Sequence, residues 1–152
     1  MITIELKAAL LALCGDKLRE KEASILEAMR QAREALGSET KSTAGDKHET
    51  GRAMIQLEQE QLSQQLAVAT ESIRQLQRIR VDESSQRAGP GALIETSTGT
   101  YLVATGLGRL DYEGGVYFAV APHAPIALAF AGRWPGDTIV FNNRSITITA
   151  LV

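Results

Sequence analysis

Over residues 4–36 the apolar positions keep a helical period, no proline occurs, and the only glycine is Gly15. Ala, Leu, Glu, Lys, Arg and Gln dominate the stretch, all good helix formers. The pattern predicts one long helix, with Gly15 as the place where it would bend. Within it Ile25, Met29, Ala32 and Leu36 step by four, three and four residues, the spacing of a coiled-coil seam. Glu22, Glu27, Arg30 and Arg33 lie off that seam. A second stretch, 49–80, repeats the pattern through Leu62, Leu66, Ala69, Ile73 and Leu76. Between them the polar, glycine-bounded segment 37–45 (GSETKSTAG) breaks the period and reads as a turn.

Two seams of one period, joined by a turn, predict a long antiparallel coiled-coil hairpin over residues 1–81, with its tip at 37–50. Arms of roughly 30 residues at a rise of about 1.5 Å would project on the order of 45 Å, more than a compact domain needs. A helical pair that packs back on the chain or dimerises has the same pattern.

The run 82–91 (DESSQRAGPG) is polar and ends in Gly-Pro-Gly, which predicts a linker. Beyond it the period shortens. Residues 93–96, 100–105, 116–120, 138–141 and 145–151 read as strands between glycine and asparagine turns. Ile146 and Ile148 are expected on one face of the last strand, Thr147 and Thr149 on the other. Residues 125–131 (PIALAFA) open on a proline suited to a first helical position and predict a short apolar helix on the sheet. The expectation is an α+β chain whose second domain, 92–152, has four to six strands.

Composition narrows the function classes. A hydrophobic share of 44% in 152 residues suffices for a packed core, in one domain or two small ones. A net charge of −2 argues against gripping nucleic acid through a broad cationic face. The apolar patch at 8–13 is shorter than a membrane span, follows Glu5 and Lys7, and leads into a charged helix, so a soluble cytoplasmic protein is expected. Cys14, among Leu10, Leu11 and Leu13, reads as a small buried hydrophobe.

The suggestive chemistry is at the tip. Asp46 and Glu49, three residues apart, fall on one face of a first helical turn. Two readings fit. Asp is a favoured N-cap, and Glu three residues on completes a capping-box-like pattern. Alternatively the pair stays solvated and offers oxygen ligands to a hard cation such as Mg²⁺, sharing the rest of the shell with water and phosphate. Two carboxylates do not complete such a site, so another macromolecule would have to. His48 reads as a solvated helix-start histidine, and His123, between Pro122 and Ala124, has no ligand-spaced neighbour for zinc. Gly106 to Gly108 and Gly114-Gly115 read as hairpin turns, since no phosphate-cradling loop follows.

Several stretches, in order, resemble the bacterial Gre transcript-cleavage factors. Residues 25–35 (ILEAMRQAREA) are similar to the end of that family's first hairpin helix, and Gly45-Asp46-Lys47-His48-Glu49 to its Gly-Asp-x-x-Glu tip motif. Residues 124–137 (APIALAFAGRWPGD) resemble a segment of its FKBP-like domain, and 138–151 its last two strands. Thr50-Gly51-Arg52-Ala53 replaces the family's Asn-Ala-Glu-Tyr, Ala124 replaces a serine, and the chain carries extra sequence between Ala35 and Gly45. The resemblance implies a hairpin inserted through the secondary channel of RNA polymerase and an FKBP-like domain at the channel rim. It also implies an Asp46–Glu49 pair helping to hold an Mg²⁺ shared with the polymerase, close to the RNA 3′ end. A monomer that is not an enzyme by itself, but stimulates the polymerase's own transcript cleavage, is then expected. A tip lengthened by Glu39 and Lys41 implies a second outcome, obstruction of the nucleotide path. Two other classes compete: an FKBP-like prolyl isomerase, disfavoured because the core needs several of the domain's few aromatics, and a dimerising coiled-coil module.

Overall fold

The computed structural model describes the backbone of residues 1–40 and 45–152, and the side chains outside 39–48. The protein is α+β: two N-terminal helices, α1 (Ile4–Thr40) and α2 (Gly45–Gln77), precede a six-stranded mixed sheet. The strands are β1 (Leu93–Thr96), β2 (Gly99–Val103), β3 (Gly108–Tyr112), β4 (Gly115–Val120), β5 (Thr138–Phe141) and β6 (Arg144–Leu151), with α3 (Pro125–Phe130) between β4 and β5.

Both long helices differ from the expected bounds. α1 passes through Gly15 and continues through Gly37 to Thr40, so the segment expected as a turn is helical at 37–40, and α2 is helical from Gly45. Residues 41–44 lie outside the described residues. α2 ends at Gln77 instead of 80, where the amides of Arg78 and Ile79 turn back to the carbonyls of Gln75 and Leu76 at 3.2 and 3.1 Å. These shorter i−3 bonds tighten the helix end.

The chain divides into two compact units, Lys17–Ile73, and Met1–Asp16 together with Arg74–Val152. In the first, Ile25 and Ala32 of α1 share a core with Leu62 and Ala69 of α2, and Met29 and Leu66 pack against it. These are seam positions of the sequence pattern, so the 3.5-residue period acts here as a helix-pairing signal.

In the second unit the sheet order is β3-β4-β2-β1-β6-β5, with β2 and β4 parallel and the other neighbours antiparallel. Its central strands are buried on both faces. Leu93 of β1 and Leu102 of β2 pack with Leu10, Leu11 and Cys14 of α1. Their neighbours Ile94 and Val103 pack on the other side with Phe130 of α3. The alternation of a strand thus serves two cores, and the first turns of α1 supply one of them. Cys14 is fully buried, as its apolar neighbours predict.

Ile146 and Ile148 do share one core, but the parity then changes. The β1–β6 register shifts between Glu95 and Thr96, leaving Thr149 unmatched, and beyond it Leu151 joins Ile148's core while Ala150 joins the other. A one-residue bulge turns successive side chains to the opposite face. β5 and β6 are joined by Asn142-Asn143, both at positive φ (49° and 62°), the turn whose twist matches a two-residue hairpin.

The strand at 108–112 was not expected from the pattern. It lies at the sheet edge, where only Leu110 is buried, and Arg109 pairs with Asp111 in solvent at 2.9 Å. Residues 82–91 have no regular structure, yet they are fastened to the sheet unit. The Ala88 amide donates to the Arg133 carbonyl at 2.8 Å, and its own carbonyl accepts from Gly132 at 2.7 Å.

Candidate functional site

Asp46 and Glu49 both lie in the opening turn of α2. Because α2 is helical from Gly45, Asp46 has its backbone inside the helix, whereas an N-cap residue sits just ahead of it with non-helical dihedrals. Glu49 is exposed, and the side chains of Asp46 and His48 lie outside the described residues. Helical spacing puts positions 46 and 49 on one face, and negative charge there complements the amino-terminal dipole.

Carboxylate oxygens are the donor type Mg²⁺ prefers, so the pair fits that ion chemically, and it leaves most of an octahedral shell to other oxygens. Among the described residues, no group of three or more His, Cys, Asp or Glu gathers at a metal-holding distance. His123 is exposed.

A cleft of about 590 Å³ opens in the unit that holds the sheet, and sequence reasoning missed it. Lys7, Arg78, Arg80, Glu83, Ser84 and Ser85 bring polar groups to its lining, and Ile79, Pro90, Ala104 and Pro122 line it with apolar ones. Lys7 is only 1% exposed. Its ammonium donates to the Glu83 carbonyl at 2.6 Å, and among the described residues it has no carboxylate ion pair. The Glu83 carboxylate is engaged by Arg80, whose guanidinium it holds above the ordinary range. Burial lowers the Lys7 pKa, while the charge of Glu83 acts in the opposite direction. The missed signal is the helical phase of Lys7, which stands one and two turns before the buried Leu10, Leu11 and Cys14 on the apolar face of α1.

A second cleft, about 470 Å³, is lined by Tyr101, Phe118, Phe141 and Ile126, with Asn142 and Arg144 at its polar side. The core takes Phe130 entirely, and Tyr101, Phe118 and Phe141 face this cleft, Tyr101 and Phe141 also packing against the core. Tyr101 stands 5.7 Å from Phe118 and 5.4 Å from Phe130 between ring centroids, so its ring is held in place by tilted aromatic contacts on two sides.

No helix among the described residues is long and apolar enough to cross a membrane. Comparison with protein-family models, curated proteins and solved structures gives no match.

Proposed function

We propose that the chain is a Gre-like factor of bacterial RNA polymerase, with α1 and α2 as an antiparallel hairpin for the secondary channel and an FKBP-like sheet domain for its rim. The observation that carries the reading is the Gly45-Asp46-Lys47-His48-Glu49 motif in the opening turn of α2, with Glu49 in solvent. The shared core of α1 and α2, and the short Pro125-led helix ahead of two closing strands, are what the resemblance requires elsewhere.

In this reading Asp46 and Glu49 present anionic oxygens at the advancing end of the hairpin, where they accept hydrogen bonds from water and orient it toward the scissile phosphate. Mg²⁺, when held jointly by these carboxylates and the polymerase, supplies charge stabilisation of the phosphoryl group and activation of the attacking water. The remaining chain binds and positions, and the catalytic core belongs to the polymerase.

One observation favours obstruction as a second outcome. α1 runs to Thr40, four residues past the expected end at Leu36, which adds about 6 Å of helix to that arm. Mixing the protein with cognate polymerase in a backtracked complex tests both. Shortened RNA supports cleavage stimulation, binding with slowed nucleotide addition supports obstruction, and absence of binding overturns the reading. Turnover of a prolyl peptide by the isolated protein would instead assign function to the Tyr101–Phe118–Phe141 cleft.

A further inference from the structure

The cleft around Lys7 takes no part in the tip chemistry. A buried ammonium is costly unless paired, and here a single carbonyl is its hydrogen-bond acceptor among the described residues. An ammonium has three N–H donors, so two are left for something else in the cleft. Arg78 adds a second cation to the lining, and Arg80 a third whose charge is offset by Glu83. The excess is positive in a chain whose net charge is −2. The Ser84 and Ser85 hydroxyls bring further donors.

We propose that this cleft binds a small molecule carrying an oxyanion joined to an apolar or ring-shaped body, with Lys7 as its primary anchor and Arg78 as its second. The anion answers the charge of Lys7, which has no carboxylate ion pair among the described residues, and the body answers the Ile79, Pro90, Ala104 and Pro122 surfaces. A volume of about 590 Å³ exceeds what an inorganic oxyanion fills and lies in the range of small-molecule sites. Nothing in this proposal depends on the polymerase reading, and it stands or falls separately.

Phenyl phosphate, inorganic phosphate, benzyl alcohol and a short polyglutamate peptide, each titrated into the full ¹⁵N-labelled chain, test it. Phenyl phosphate is expected to shift the amides of Ser84, Ser85, Gly91 and Leu128 saturably at millimolar concentration. Inorganic phosphate should shift the same amides more weakly, and benzyl alcohol should leave them in place. Lys7→Met should weaken phenyl phosphate by about tenfold or more, the loss expected of one charge-assisted hydrogen bond. Arg78→Gln, at an exposed position, carries the same test should Lys7→Met fail to fold. Lack of saturable shifts, or affinity unchanged in whichever of the two variants folds, would overturn the proposal. So would tighter binding of polyglutamate, which would make the cleft a seat for an acidic protein segment.

Discussion

The ammonium of Lys7, in the first turn of α1, donates to the main-chain carbonyl of Glu83 at 2.6 Å, across 76 residues of sequence. The bond fastens the start of the chain to the segment that follows α2. It also explains how a lysine is tolerated at 1% exposure, since its stem lies along the apolar helix face while its head meets a carbonyl at the cleft. With Leu10, Leu11 and Cys14 in the sheet's core, Met1–Asp16 groups with the sheet although it belongs to a helix that continues beyond it.

Burial of Lys7 has a pH signature. Its pKa in the folded protein lies below the ordinary 10.5, chiefly through desolvation. Between those two values the unfolded chain binds more protons than the folded one, so stability contributed by this group rises with pH across that window. Below the window the penalty is full and constant. Relative to Lys7→Met, the wild type should therefore gain stability as pH rises from the folded value toward 10.5. Urea midpoints of both proteins across that range check this. A difference that is flat, or that falls with pH, contradicts a depressed pKa.

Gly91 forms part of the cleft wall with φ of +87°, and its amide donates to the Val103 carbonyl at 2.7 Å. A Cβ added there would meet Ile79 Cγ2 at 3.1 Å. Gly91→Ala should destabilise by about 1–2 kcal/mol, from the left-handed backbone alone, with the Ile79 contact adding to it. Gly89 has open space around it and no positive φ, so Gly89→Ala should change stability by less than about 0.5 kcal/mol. Chemical denaturation of the pair separates conformational need from mere position in a polar run.

Arg87 ties the same segment down from the other side. Its guanidinium donates to the Gly132 carbonyl at 3.1 and 3.2 Å and lies 5.3 Å from the centroid of the Trp134 ring. Arg87→Ala should lower stability by about 0.5–2 kcal/mol and shift the emission of the single tryptophan to the red as the indole loses its cover. Arg87→Lys should recover only part of either effect, because an ammonium lacks the planar fork. Unchanged fluorescence in Arg87→Ala would contradict the stacking.

What was legible in the sequence is what a single period can encode. Ile25, Ala32, Leu62 and Ala69 announce helix pairing because the same face is buried turn after turn. Ile146 and Ile148 announce a strand with one buried face over that stretch, and Pro125 a helix start. The failures have physical reasons. Gly37 looks like a breaker, but a glycine inside a long helix costs only about 1 kcal/mol, which the neighbouring turns can absorb. β3 presents one buried side chain, Leu110, too little for a pattern to register. The polar run 82–91 lacks a period because its backbone bonds go to the sheet unit one by one, as at Ala88. Lys7 escaped notice because its charge suggests solvent while its helical phase puts it on the buried face. Of the acidic pair, the three-residue spacing of Asp46 and Glu49 was readable, and both lie in the opening turn of α2.

The tip variants decide between charge and architecture at that pair. Asp46→Asn and Glu49→Gln keep size and remove the anionic oxygens. If the carboxylates act only where phosphoryl transfer needs water and cation arranged, binding to the polymerase should be nearly unchanged, while cleavage of backtracked RNA is lost. Stability should fall by no more than about 0.3–1 kcal/mol per charge removed, the worth of an exposed acidic group at a helix amino terminus. A purely structural role predicts another outcome: loss of a helix cap costs about 0.5–2 kcal/mol, and activity then falls only as the folded fraction does. Thermal melting and RNA cleavage measured on the same variants distinguish these results. Should the wild type bind and slow nucleotide addition without cleaving, shortening the hairpin by removing residues 38–43 should relieve the block, and a block that persists would show that obstruction arises elsewhere.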